Sequence, residues 1–140
     1  MMVRIGASKK APVDHWTGRR DNARAFHEAA RTQVALLSES ANANPIISLI
    51  ATAAIGYADS VTSKRLGVVN QEQHEQVVTT LRKAVGNRLT AATAKQLSSI
   101  LKEKSTSQYG ARRGSMETAT RLLDALDAFA QWVEQELGGL

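Results

Sequence analysis

Apolar residues recur along this chain at steps of three and four, the spacing of helices with one buried face, and five such segments stand out. The first runs from about Thr17 to Ser38, with Ala23, Phe26, Ala30, Val34 and Leu37 on one stripe. Asn-Ala-Asn-Pro then breaks the pattern. Asn44 suits the cap of a second helix and Pro45 its first position, where a missing N–H costs nothing. That helix extends to about Arg65. Ile46, Ile50, Ala53, Tyr57 and Val61 form one face; Ser48, Thr52, Gly56 and Ser60 form a small-residue face opposite. Neighbours can approach both sides, so the pattern places this helix at the centre of a bundle.

Asn70 and Gln73 have the spacing of a capping box and predict a third helix opening at Asn70. Val77, Val78, Leu81, Ala84 and Val85 point inward, and Gly86 is a terminator. A fourth helix is expected from about Ala91 to Lys104, with Leu97, Ile100 and Leu101 inward. Ser-Thr-Ser-Gln-Tyr-Gly-Ala-Arg-Arg-Gly follows as a loop. Ser115 caps a long fifth helix to Leu137, with Leu122, Leu123, Leu126, Phe129, Val133 and Leu137 on its stripe. Asp124, Asp127 and Glu134 lie off that stripe and are expected to face water.

Alternating strand-like runs are absent. The pattern therefore predicts an all-α, up-and-down bundle of four to five helices, one domain over residues 15–140, preceded by a flexible basic arm over 1–14. A length of 140 residues is enough for one real core. Aromatics make up only 4% against 43% hydrophobic residues, so that core is aliphatic and rich in alanine.

The net charge of +5 favours anionic partners such as RNA or nucleotides, or serves solubility alone. Six basic residues within 1–24 and four within 102–113, against an acidic last helix, predict a basic side and an acidic side. With no cysteine there is neither disulfide nor thiolate metal site, which suits a cytoplasmic protein. No apolar run reaches about 18 residues, so no membrane span is expected. The N-terminus lacks the apolar stretch of a secretory signal. His15, His27 and His74 are too scattered for a metal site, and no cofactor is implied.

Four groups of residues carry candidate chemistry. Arg20, Arg24, His27 and Arg31 share one flank of the first helix, where they either grip phosphates or form a solvated basic face. His74, four positions after Asn70, either packs on Val69 as a hydrophobic staple or acts as a general base at a helix N-terminus. Tyr57 points into the core and Asp59 to the small-residue side, both as structural polar groups; Lys64, Arg65, Lys102 and Lys104 are either mates for the carboxylate or further phosphate-binding candidates. Tyr109 beside Arg112 and Arg113 either stacks a base next to a phosphate or plugs the bundle end.

The Tyr57-Ala58-Asp59 run, the histidine opening the third helix, and Lys102 or Lys104 ahead of Tyr109-Gly110 together resemble the HEPN domain superfamily, in its small bacterial members of undefined role. The resemblance spans about residues 46–137 and implies a helical bundle, commonly a homodimer. Many such proteins are metal-independent ribonucleases with an Arg-x(4–6)-His motif near the third and fourth helices. Here no histidine follows His74, and the one pair with that spacing, Arg20 to His27, lies in the first helix. The resemblance thus implies a nucleotide- or RNA-associated binding module of a bacterial defence or toxin–antitoxin-type system, some relatives of which work beside a small nucleotidyltransferase. A ribonuclease with a non-standard site and a pure protein-interaction subunit are the alternatives.

Overall fold

The computed structural model describes residues 8–10, 14–70 and 74–138, and for 8–10, 69, 70, 74, 75 and 107–109 the backbone alone. In chain order the elements are β1 (Ser8–Lys10), α1 (His15–Leu36), α2 (Asn44–Leu66), β2 (Val68–Asn70), α3 (His74–Val85), a 3-10 turn (Gly86–Arg88), α4 (Ala91–Tyr109) and α5 (Met116–Glu136). α2 and α5 start side by side, the Ala43 N–H donating to Gly114 O at 3.0 Å. They also end side by side, with Lys64 Nζ donating to Leu137 O at 2.7 Å. Short connections return α1 and α4 antiparallel to them. The result is the expected all-α, up-and-down bundle, with α3 as a shorter fifth helix.

α2 packs on each of the other four helices, as its two-sided pattern predicts. Ile46, Ile50, Ala53, Tyr57 and Val61 are all buried, and the fifth-helix stripe from Leu122 to Leu137 is buried throughout. An 18-residue window of α2 reaches a mean hydropathy of 1.3, apolar enough for a membrane span. This corrects the expectation that no segment is so apolar; 78% of the window is buried in the bundle, which accounts for it.

Helix ends follow local chemistry. Ser115 Oγ accepts from Thr118 N at 3.0 Å and caps α5 as expected. Gly67, at φ 70°, closes α2 in the left-handed conformation that glycine adopts without strain. Asn44 does not cap its own helix; its amide is drawn to the α4–α5 loop instead. α4 runs past Lys104 through Tyr109, turning part of the expected loop into helix, because no glycine or proline interrupts it before Gly110. Ser8–Lys10 pairs antiparallel with Val68–Asn70, Lys9 opposite Val69. Part of the arm expected to be flexible is therefore a strand. Asn70 is the last residue of β2 and His74 the first described residue of α3, so the expected capping box of Asn70 and Gln73 lies partly outside the described residues.

α1 departs most from its predicted stripe. Phe26 and Leu37 are exposed, while Ala23, His27 and Ala30 are buried and Val34 is half-buried. Small inward residues let α1 lie close on α2 where Gly56 has no side chain. A Cβ at Gly56 would stand 3.1 Å from the Ala23 Cβ. The small-residue face of α2 is thus covered over Gly56 by α1 of the same chain.

Candidate phosphate-binding site

The four residues of the α1 row separate in space. His27 turns into the bundle, while Arg20, Arg24 and Arg31 stay near the surface. Each arginine meets a carboxylate. Arg24 directs Nε and Nη2 at the two oxygens of Glu134, both at 2.7 Å. Arg31 Nη2 donates to Asp127 at 2.9 Å and its Nη1 lies 3.6 Å from Glu28. Arg20 bonds Asp21 and lies over the Trp16 ring, 5.2 Å from its centre. The forked bond to Glu134, more than any other contact, raises the pKa of Arg24 above its ordinary value. Asp127 and Glu134 therefore do not form a free acidic face: the expected basic side meets the expected acidic side along the α1–α5 seam.

Below the arginines lies a buried polar chain. His27 Nε2 is 2.7 Å from Asp127 Oδ1 and Nδ1 is 2.8 Å from the Tyr57 hydroxyl. The arrangement is satisfied when Nε2–H donates to the carboxylate and Nδ1 accepts from the hydroxyl. Burial pushes the Tyr57 hydroxyl up to about 12, and Glu134 adds to the shift. Both imidazole nitrogens are engaged and the ring is closed off from water, so His27 has no lone pair to offer a substrate. The Arg20–His27 spacing is structural here, and His27 leaves the set of phosphate ligands.

Other cations have structural duties too. Asp59, almost wholly buried, accepts from Arg19 Nη2 at 2.8 Å, a partner outside the four expected mates. Lys64 and Arg65 donate to the last carbonyls of α5, on Leu137 and Glu136, and Lys64 Nζ sits 4.6 Å from the centre of Trp16. Positive charge at a helix C-terminus complements its dipole. The side chains of His74 and Tyr109 lie outside the described residues.

The α4–α5 corner differs. Asn44 donates to Arg112 O at 3.0 Å and accepts from Gly114 N at 2.8 Å, fastening the loop to the start of α2. A Cβ at Gly114 would stand 2.6 Å from Asn44 Oδ1 and 2.8 Å from Ile47 Cδ1, so only glycine fits this approach. Beside the loop lies a cavity of about 260 Å³, edged by Arg112, Arg113, Thr106, Ser115, Thr118 and Glu103. Arg113 donates to Ser40 O at 2.9 Å, and Glu103 lies 3.9 Å from Arg121. Among the described residues, Lys102 and Arg112 meet no carboxylate. Lys104 lies on the other flank of α4, in a smaller groove with Arg19, Phe26 and Thr52.

Among the described residues no three His, Asp or Glu side chains come together as a metal site. Arg19 is absent from the candidates that the sequence suggests, and Asp127 and Glu134, expected to face water, instead pair with Arg31 and Arg24. One signal was available: Arg24 and Arg31 are seven residues apart, as are Asp127 and Glu134, which matches two antiparallel helices rung for rung. No family model matches the chain, and a search of curated proteins finds no match.

Proposed function

We propose that this protein is a HEPN-like binding module for RNA or a nucleotide, and that phosphate enters at the α4–α5 corner. The observation that carries the reading is the cavity beside Arg112 and Arg113, in a molecule whose other surface cations largely face carboxylates or carbonyls. Arginine matches phosphate oxygens through its planar fork, and hydroxyls on Thr106, Ser115 and Thr118 offer further hydrogen-bonding groups around the cavity. The reading includes a cytoplasmic homodimer and, as a working partner, a small nucleotidyltransferase.

Fluorescence anisotropy with a single-stranded oligouridylate at about 50 mM salt tests it, because phosphate contacts are strongest where counterions are scarce. Binding should weaken in Arg112→Gln/Arg113→Gln, and the slope against log salt should flatten by about two units. Undetectable binding by the unaltered protein ends the proposal.

A pure interaction subunit is the second reading, favoured by a different surface. Asn22, Ala25, Phe26, Ala29, Thr32, Gln33, Leu36 and Leu37 of α1 and its end are all exposed and uncharged. Charge depletion over large apolar side chains is a mark of protein interfaces. Cross-linking and light scattering, with Phe26→Glu/Leu36→Glu as the altered form, test whether that face holds a partner or a second copy.

A further inference from the structure

The α1–α5 seam has the groups of a polyanion site with the ligand position already filled. Arg24 presents two N–H groups to two oxygens of Glu134, both at 2.7 Å, the geometry in which a guanidinium also takes a phosphate. Arg31 presents Nη2 to Asp127 at 2.9 Å. Seven residues at 1.5 Å each set the two arginines about 10.5 Å apart along α1. Both are close to half exposed, at 47% and 45%. A ligand can therefore reach them from solvent without any helix moving.

We infer that the α1 arginines Arg24 and Arg31, extended by Arg20, form a second polyanion-binding site that the Asp127 and Glu134 carboxylates of α5 hold closed. The inference extends the RNA reading above and rests on it for the class of ligand. Three arginines face Asp21, Glu28, Asp127 and Glu134, so the closed seam has no positive potential to attract a strand. Exchange is nevertheless feasible, because a phosphate offers each guanidinium the same paired oxygen acceptors as the carboxylate it replaces, and water already reaches the arginines. A single phosphate gains one such exchange. A strand with several phosphates, already held at the corner, gains several at once through its high local concentration. The seam therefore selects for length: α5 supplies intramolecular competitors that only a multivalent anion displaces.

The test removes charge and keeps shape. Asp127→Asn/Glu134→Gln retains an acceptor for His27 and for both arginines. The control, Glu117→Gln/Asp124→Asn, removes the same charge from exposed positions of α5 away from the seam. With a 20-nucleotide oligouridylate at about 50 mM salt, the seam variant should bind about tenfold tighter than the unaltered protein, with a salt slope steeper by about two units. The control should show a smaller gain and an unchanged slope. Adding Arg24→Gln/Arg31→Gln to the seam variant should abolish the gain. Equal gains in seam variant and control overturn the inference and attribute the effect to overall charge. A corner variant that binds as well as the unaltered protein sinks the corner reading while leaving the seam test intact. Absence of binding by every form sinks both. If Asp127→Asn perturbs folding by thermal melt, Glu134→Gln alone, set against Asp124→Asn alone, carries the same comparison at half the expected slope change.

Discussion

The central helix is held in two different ways on its two flanks. Towards α4 and α5 it meets Leu97, Ile100, Leu122, Leu126 and Phe129, all fully buried. Towards α1 it meets Ala23, His27 and Ala30, and α1 is further secured to α5 by ion pairs and the His27 bridge. The first flank is stabilised by removal of apolar surface from water, which salt and pH scarcely alter. The second buries little apolar surface and depends on charge, hydrogen bonds and protonation. The same helix thus has an adhesive side and a latched side, held by forces that respond differently to salt and pH.

The largest effect should come from the adhesive side. Phe129→Ala removes a fully buried ring and should cost about 3–5 kcal/mol in denaturant unfolding, with little dependence on salt. A loss under about 1 kcal/mol would contradict the packing described.

On the latched side, Arg19→Met takes a guanidinium from Asp59, whose side chain is 2% exposed. Asp59 has contacts besides Arg19, so loss of this one partner of a buried carboxylate should cost about 1–3 kcal/mol. Asp59→Asn in the same background should recover part of it, since the neutral amide needs no counter-charge.

Alkali should open the latch selectively. The fold raises the Tyr57 hydroxyl from its ordinary 10 to about 12, so it favours the neutral form. Below pH 10 both folded and unfolded chains keep the proton, and the contribution is complete. Between pH 10 and about 12 the unfolded chain ionises first and stability falls, by up to about 3 kcal/mol from this group. Tyr57→Phe should flatten the profile across that window, while costing about 1 kcal/mol at neutral pH by leaving His27 Nδ1 without its donor. An unchanged alkaline profile in Tyr57→Phe would remove Tyr57 from this role.

The smallest effect belongs to the surface rungs. Glu134→Gln should change stability by less than about 1 kcal/mol, and raising salt should shrink the difference further. A loss as large as that of Phe129→Ala would show that the seam is a structural clamp and would remove the premise of exchange.

Most of the fold was legible because burial imposes a period. The Leu122-to-Leu137 stripe, the two-sided pattern of α2 and the Ser115 cap each depend on residues near one another in sequence, and each is found where the pattern places it. α1 was misread by a rotation about its axis. Its apolar spacing suggested Phe26 inward, but alanines on the neighbouring line allow closer contact with α2 over Gly56, and His27 could enter because Tyr57 and Asp127 receive it. Polar burial of that kind depends on partners thirty and a hundred positions away, which no local pattern contains.

By itself the sequence determined the all-α class, the number of long helices, the central position of α2 and the aliphatic core, since periodicity and helix punctuation are local properties of the chain. Tertiary structure decided what the charges do. An arginine in a sequence has a sign but no counter-ion. Packing α1 against α5 assigned carboxylates to Arg24 and Arg31, and packing α2 beside α5 carried Lys64 and Arg65 to the end of α5; the α4–α5 loop left Arg112 at an open corner. Electrostatic energy depends on distance and exposure, and both are set only when the helices meet.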